Sequence, residues 1–216
     1  MKKVAVILSG SGVFDGSEIH ETVLSFLALE QNGASWHCFA PNISQHHVIN
    51  HMTGEEMEEK RNVLIESARI ARGNIQDVTE LEAEHFDALL LPGGFGVAKN
   101  LSNFALKGAE CELNSDVAAV CKKFAALGKP AGYLCIAPAL IPFIYSTGVK
   151  GTIGSDLDTA LAFNTAGGEH LDCAVDDLVY DQTHNVLSTP AYMLAQSVSD
   201  AARGINKLVC KLIEIS

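Results

Sequence analysis

The chain has 216 residues, 48% of them hydrophobic and 19% charged, and its 15 basic and 26 acidic side chains give a formal net charge of -11. This charge repels phosphate backbones and anionic lipids, so it counts against non-specific binding to nucleic acids or membranes. No stretch of about 18 consecutive apolar residues is present to span a membrane, and the apolar run at residues 4–8 is too short for a secretion signal. We therefore predict one domain over residues 1–216, located in the cytoplasm.

The first 72 residues contain the pattern of a strand, a helix and a second strand. Residues 3–8 form an apolar run that ends in a glycine-rich turn at 9–12, which is typical of a buried strand. Apolar side chains recur at helical spacing over residues 18–32, and Gly33 follows where a left-handed cap is common. Residues 35–40 predict the next strand, after which we expect a loop over 42–54 and a helix over 55–72.

Strands and helices alternate through most of the remaining chain. The apolar runs 87–91 and 131–134 predict strands buried on both faces, and a helix over 114–127 connects them. Residues 136–146 predict a helix kinked at Pro142, and residues 173–188 predict a hairpin. Residues 192–215 predict a C-terminal helix. This alternation predicts a doubly wound α/β fold with a mostly parallel sheet sandwiched by helices.

Cys135 directly follows a predicted central strand. Ligands of open α/β sheets bind beyond the carboxyl ends of the strands, and a helix that begins there favours the thiolate form of a cysteine. Cys135 is therefore a candidate nucleophile, the alternative being a small buried apolar side chain. Gly93 and Gly94 form a similar turn, where the N–H of Gly94 and that of Ile136 are candidates for an oxyanion hole; the alternative is a plain tight turn.

Glu18 and Glu21 lie one turn apart at the start of the first predicted helix. One of these carboxylates is a candidate general acid or base beside Cys135, although acids in a first turn also simply complement the helix dipole. The spacing leaves open which of the two side chains points toward Cys135. His170 and His184 are the other candidates for a base near Cys135.

The sequence predicts neither a metal nor a cofactor. Gly10 and Gly12 resemble the start of a dinucleotide-binding loop, but Asp15 stands where the third glycine belongs. The six cysteines form no C-x-x-C pair and are expected to be free thiols. Three loop histidines without cysteine or acidic partners are poor metal ligands: His46, His47 and His51.

Three motifs together resemble the PfpI-like superfamily, which has the class I glutamine-amidotransferase-like, flavodoxin-like fold. They are Glu21-Thr22-Val23, Leu91-Pro92-Gly93-Gly94 and Cys135-Ile136-Ala137-Pro138-Ala139-Leu140. Over essentially its whole length the chain is also similar to the ElbB group, called enhancing lycopene biosynthesis proteins or isoprenoid biosynthesis proteins with an amidotransferase-like domain.

The resemblance implies that Cys135 is a nucleophile with Glu21 as the carboxylate beside it. On this basis we predict Glu21 within hydrogen-bonding reach of the thiol and Glu18 farther away. It further implies glyoxalase activity without glutathione, a homodimer, and for some members protein deglycase activity. The chain departs from relatives that have histidine after the nucleophile, because it has Ile136 there. It also has the order Glu169-His170, whereas glutamine amidotransferases need a His-x-Glu arrangement, so ammonia release from glutamine is not expected.

The expected reaction is the conversion of glyoxal to glycolate without a cofactor, through a hemithioacetal on Cys135. Two alternatives stay open at this stage. In the first, the chain is a non-enzymatic redox sensor or stress-response interaction protein in which Cys135 is oxidised and Glu21 stabilises the sulfinate. In the second, it is a different hydrolase that uses His170 or His184 as the base.

Overall fold

A computed structural model describes all 216 residues and has a seven-stranded sheet at its centre. The strands in chain order are β1 (Lys3–Ile7), β2 (Ser35–Ala40), β3 (Val48–Ile49), β4 (Glu56–Met57), β5 (Ile75–Asp77), β6 (Ala88–Leu91), β7 (Ala131–Leu134), β8 (Lys150–Gly151), β9 (Glu169–His170), β10 (Val179–Asp181) and β11 (Val186–Thr189). The α-helices are α1 (Ile19–Gln31), α2 (Val63–Ile70), α3 (Phe95–Lys99), α4 (Phe104–Lys107), α5 (Ser115–Ala126), α6 (Leu157–Thr165) and α7 (Val198–Glu214). No helix has the length and apolar character needed to cross a lipid bilayer.

The order of the central sheet is β10-β11-β7-β6-β1-β2-β5, and every neighbouring pair is parallel except the hairpin β10-β11. Apolar clusters cover both faces, one with α1 and α7 and the other with α5. Strands β6, β7 and β11 are buried at every position, which is why their sequences do not alternate. The prediction of a mostly parallel sheet sandwiched by helices is confirmed.

Four neighbouring parallel strands, β11, β7, β6 and β1, end at the same edge of the sheet. The turns that follow β1, β6 and β7 therefore meet in space, although they are far apart in sequence. Two backbone hydrogen bonds join the first two turns, from Phe95 N–H to the Val13 carbonyl at 2.8 Å and from Gly96 N–H to the Gly16 carbonyl at 2.9 Å. The fold thus assembles a site from three separate turns.

The predicted helix over residues 55–72 is wrong in its first half. Helix α2 begins only at Val63, where the side chain of Asn62 accepts a 3.0 Å hydrogen bond from the Ile65 amide and so caps the helix. The preceding residues instead include β4, which pairs in a short antiparallel hairpin with β3, a strand that lies inside the predicted loop. Helical propensity in this exposed, glutamate-rich segment was outweighed by backbone pairing.

Two other helix predictions need correction. The segment after Cys135 is a 3-10 helix over Ala137–Phe143, because Pro138 and Pro142 lack the N–H groups that an α-helix uses. The C-terminal helix begins at Val198, six residues later than predicted, since Ser197 caps it through a 3.1 Å bond from the Asp200 amide.

Candidate active site

Cys135 lies on the sharp turn between β7 and the following 3-10 helix. Its φ angle is +60°, a left-handed conformation that a non-glycine residue rarely adopts. Its own N–H donates to the Thr189 carbonyl at 3.0 Å, which extends the pairing of β7 with β11 by one residue. Only 8% of the residue is exposed. The fold therefore holds this thiol at the carboxyl edge of the sheet in a strained backbone conformation.

Two backbone amides point at the sulfur of Cys135, those of Gly94 and Ile136. Neither amide donates to a backbone carbonyl. Buried N–H groups normally have partners, so a pair without carbonyl acceptors is able to stabilise negative charge at this position. These are the two amides that the sequence suggested for an oxyanion hole.

Glu21 is fully buried beside the thiol. Its Oε2 accepts a 2.9 Å bond from the Gly93 amide, its Oε1 accepts a 3.1 Å bond from the Tyr192 amide, and its carboxyl group hydrogen-bonds the Cys135 side chain. Burial raises the pKa of Glu21 to about 7, an effect that the two amides partly oppose. Near neutral pH this carboxyl group is therefore able both to accept and to donate a proton.

Glu18 has a different role from Glu21. Its Oε2 accepts a 2.6 Å hydrogen bond from the Glu21 amide, so it caps α1 as the N-terminal residue of that helix. Its charge acts on the site only at a distance, by helping to raise the pKa of Glu21. The structure thus brings Glu21 to Cys135 and uses Glu18 to start the helix.

The amide of Ile136, at the start of the 3-10 helix, lowers the pKa of the Cys135 thiol as expected, but other effects outweigh it. Burial, followed by the neighbouring Glu21 carboxylate, raises the pKa of the Cys135 thiol well above its usual value, and the Gly94 and Ile136 amides only partly oppose this. A short 3-10 helix supplies less aligned dipole than the expected α-helix. At neutral pH the sulfur is therefore a thiol that needs a base to become nucleophilic.

Gly93 leaves room for this pair. A Cβ atom added to Gly93 would lie 2.4 Å from Cβ of Cys135 and 2.7 Å from Oε2 of Glu21. Both distances are shorter than real carbon contacts allow, so only glycine fits between the thiol and the carboxyl group. The sequence indicated close backbone approach at this turn, and the structure identifies the two side chains that require it.

A cleft of about 360 Å³ opens onto the thiol. It is mainly apolar and is lined by Val13, Gly94, Phe95, Cys135, Ile136, Asp156, Thr159, Tyr192 and Met193. The hydroxyl of Tyr192 lies 2.9 Å from Nδ1 of His20, at the exposed start of α1. Tyr192 and His20 were not predicted as site residues, because 172 positions separate them and no local motif joins them.

The predicted alternative bases lie elsewhere. His170 lies on β9 with its side chain only 4% exposed, and its Nε2 accepts from the Ile153 amide at 3.2 Å. His184 contacts Ser146 and Asp181 beyond the opposite end of β11. Neither contacts Cys135, so the structure does not support a cysteine and histidine pair.

The loop histidines have local partners. Nε2 of His47 lies 3.0 Å from the Lys99 ammonium, and Nε2 of His51 accepts from the Phe14 amide at 3.2 Å. His46 lies beside the ring of His47. No group of three or more histidine, cysteine or acidic side chains is arranged to hold a metal ion, and all six cysteines are free.

Comparison with known proteins gives no matching family model, but several relatives match most of this chain. The ES1 protein homolog, mitochondrial, of Rattus norvegicus is 42% identical over 224 residues, covering 99% of this chain and 84% of that protein. The glutamine amidotransferase-like class 1 domain-containing protein 3, mitochondrial, of Homo sapiens is also 42% identical, over 99% of this chain and 83% of its own length. The chain belongs to this family of ES1 and glutamine amidotransferase-like class 1 domain proteins.

Solved structures agree with this family assignment. An isoprenoid biosynthesis protein with an amidotransferase-like domain from Ehrlichia chaffeensis is 37% identical and superimposes with a TM-score of 0.94, covering 100% of this chain and 99% of that one. This confirms the resemblance inferred from the motifs. DJ-1beta of Drosophila melanogaster, at 17% identity and a TM-score of 0.57 over 99% of this chain and 95% of its own, shares the fold.

The comparisons also correct one prediction. The ES1 protein of Danio rerio, 34% identical over 88% of this chain and 76% of its own length, is likewise called mitochondrial. Because these relatives from rat, human and fish all carry that word in their names, the prediction of a cytoplasmic location is wrong. It depended on the lack of a secretion signal and a membrane span, and neither feature distinguishes the cytoplasm from the interior of an organelle.

Proposed function

We propose that this protein is a glutathione-independent glyoxalase that converts glyoxal to glycolate on Cys135. The observation that carries the proposal is the contact between the Cys135 thiol and the buried Glu21 carboxyl group, whose pKa of about 7 suits proton transfer at neutral pH. The apolar cleft above the thiol has room for a small dialdehyde. The two amides without carbonyl partners suit an oxygen that becomes negative during the reaction.

In the first step the sulfur of Cys135 adds to one aldehyde carbon while Glu21 takes the thiol proton. The aldehyde oxygen becomes an alkoxide near the Gly94 and Ile136 amides. Glu21 then gives the thiol proton to this oxygen, which forms the hemithioacetal and leaves Glu21 as a carboxylate again. Because the thiol is neutral in the resting site, the carboxylate activates it only as the bond forms.

In the second step Glu21 removes the hydrogen of the sulfur-bearing carbon and returns a proton to the neighbouring carbon, through an enediolate. One carbon is oxidised and the other is reduced, so the rearrangement needs no external electron acceptor. The product is a glycoloyl thioester on Cys135. Water hydrolyses this thioester, which releases glycolate and restores the thiol.

The test is glyoxal turnover by the Cys135→Ser variant, followed as glycolate formation. We expect a loss of at least about 100-fold, since nucleophile and general base act as one unit. Cys173→Ser, at a half-buried cysteine outside the cleft, is the matched control and should keep full activity. Turnover near wild type in a folded Cys135→Ser protein would refute the proposal.

A second candidate function is redox sensing by Cys135. It is favoured by the raised pKa of Glu21, since a protonated carboxyl group beside the sulfur is able to donate a hydrogen bond to a sulfinate oxygen. Peroxide treatment followed by peptide mass analysis tests it. Addition of two oxygens to Cys135 in wild type but not in Glu21→Leu, together with no glyoxal turnover, would favour sensing over catalysis.

We further propose that the protein is a homodimer. Helix α1 exposes three apolar side chains spaced four residues apart, Ile19, Val23 and Leu27, which are 44%, 50% and 47% exposed. Side chains at this spacing form one stripe on the helix, as an interface between two copies requires. Sedimentation of wild type and Val23→Glu tests this, and a monomeric wild type would contradict it.

A further inference from the structure

We infer that the protein carries a second nucleophilic site, in which Ser146, His184 and Asp181 act together and Ser146 accepts an acyl or phosphonyl group from a small activated ester or fluoride. The Oγ atom of Ser146 lies 2.7 Å from Nε2 of His184, and Nδ1 of the same ring lies 2.8 Å from Oδ2 of Asp181. The order of these contacts is that of a serine, histidine and aspartate triad. None of the three residues belongs to the Cys135 cleft.

The aspartate determines which ring nitrogen of His184 carries the proton. Oδ2 of Asp181 also accepts from the Lys150 amide at 2.8 Å, and Oδ1 accepts from the Thr183 and His184 amides at 2.9 and 3.1 Å. Burial acts to raise the pKa of Asp181, but the hydrogen bonds from the Lys150 amide and from His184 outweigh it and lower the pKa below its ordinary value. The ionised carboxylate therefore accepts a hydrogen bond from Nδ1–H of His184, which leaves the Nε2 lone pair facing the serine hydroxyl.

Ser146 and His184 line a cleft of about 610 Å³. This cleft lies at the edge of the sheet opposite to Cys135, because His184 precedes β11 whereas Thr189, which pairs with Cys135, ends it. The Ser146 N–H donates to no carbonyl, and the Lys122 side chain lines the same cleft. Both groups are suited to stabilising an oxygen that becomes negative beside Ser146.

The chemical step balances within this set. Oγ of Ser146 attacks the carbonyl carbon or the phosphorus atom of the ligand while Nε2 of His184 takes the hydroxyl proton. The leaving alkoxide or fluoride departs with that proton, and the acyl or phosphonyl group stays on the serine. Water then attacks an acyl group while Nε2 of His184 takes a proton from the water and returns it to Oγ of Ser146. A phosphonyl group is not hydrolysed in this way, so it stays on Ser146 and marks the residue.

The experiment uses a fluorophosphonate probe on the intact protein, with the site of labelling located by peptide mass analysis. We expect labelling of Ser146, no labelling of that peptide in Ser146→Ala, and labelling slowed by about 100-fold in His184→Gln, since a general base contributes at least this much. Thr147→Ala, which removes the neighbouring exposed hydroxyl, is the matched control and should label at the wild-type rate.

Two results would overturn the inference. One is the absence of label at Ser146, and the other is a labelling rate in a folded His184→Gln protein equal to that of wild type. Ser146 is exposed, so its alanine variant is expected to fold normally. Glyoxal turnover in Ser146→Ala should equal that of wild type, which makes failure of this site distinguishable from failure of the Cys135 proposal.

Discussion

The backbone amide of Gly93 donates a 2.9 Å hydrogen bond to Oε2 of Glu21, and this bond ties the turn after β6 to helix α1 beside the Cys135 thiol. The carbonyl of Gly93 in turn accepts from the Glu18 amide at 3.0 Å. One residue thus holds the carboxyl group through its N–H and the start of the helix through its carbonyl. It is also the residue with no space for a side chain.

The variant Gly93→Ala should therefore disrupt the site. The added methyl group would displace Cys135 or Glu21, and such overpacking costs about 1–3 kcal/mol of unfolding free energy. We expect loss of glyoxal turnover together with a lower melting temperature. Gly73→Ala is the control, because Gly73 has φ +80° with nothing within 4 Å, so it should cost about 1 kcal/mol and leave turnover intact. Equal turnover in both variants would contradict the prediction.

The buried carboxyl group of Glu21 should make the protein less stable at high pH. Its pKa is about 7 in the folded protein against 4.5 when unperturbed, so the folded state holds more protons between these values and the unfolding free energy falls as pH rises through them. The resulting loss of unfolding free energy is about 3 kcal/mol by pH 8. In urea unfolding, the unfolding free energy of Glu21→Gln should therefore rise relative to that of wild type by about this amount between pH 5 and pH 8. In Glu58→Gln, an exposed control, the curve should parallel wild type.

The pH dependence of glyoxal turnover should also depend on the ionisation of Glu21. If Glu21 accepts the thiol proton, kcat/KM for glyoxal should rise about tenfold per pH unit below the pKa of about 7 and level off above it. Initial rates of glycolate formation between about pH 5 and pH 9 measure this. A profile that falls through pH 7 would show that the protonated carboxyl group is the active form.

Alkylation measures the protonation state of the thiol directly. Because burial and Glu21 raise the pKa of Cys135, iodoacetamide at neutral pH should modify the exposed Cys210 well before Cys135. Glu21→Gln removes a neighbouring negative charge, so it should speed the modification of Cys135. Mass analysis of the two peptides over time gives both rates. Modification of Cys135 that reaches a plateau below pH 7 would indicate a thiolate and contradict this prediction.

The sequence was most informative where burial alone determines structure. Strands β6 and β7 are covered on both faces, and their uninterrupted apolar runs predicted central strands of a parallel sheet. Cys135 could be located because it directly follows such a strand, and Gly93 because it lies in the turn after one. The predicted helix over 55–72 failed because its first half depends on pairing with β3, a contact that helical spacing does not report.

Other parts of the site depend on distant contacts. The choice between Glu18 and Glu21 was suggested by resemblance, and the structure explains it, since Glu18 is occupied in capping α1. The amide of Tyr192, which binds Glu21, lies 171 positions after Glu21 in the chain. It is a backbone group, so no side-chain pattern marks it. The pKa of Glu21 likewise follows from burial by elements that the sequence does not show together.

That bond between the Tyr192 amide and Glu21 has a consequence for synthesis of the protein. A ribosome makes the carboxyl group and the thiol before it makes the residue that completes their surroundings, and the pairing of β11 with β7 places that residue beside them. A nascent or truncated chain that stops before Tyr192 therefore contains the reactive pair without its full support. Such a chain also lacks α7, which packs against one face of the sheet, so premature termination upstream of this point should yield a protein that neither folds nor turns over glyoxal.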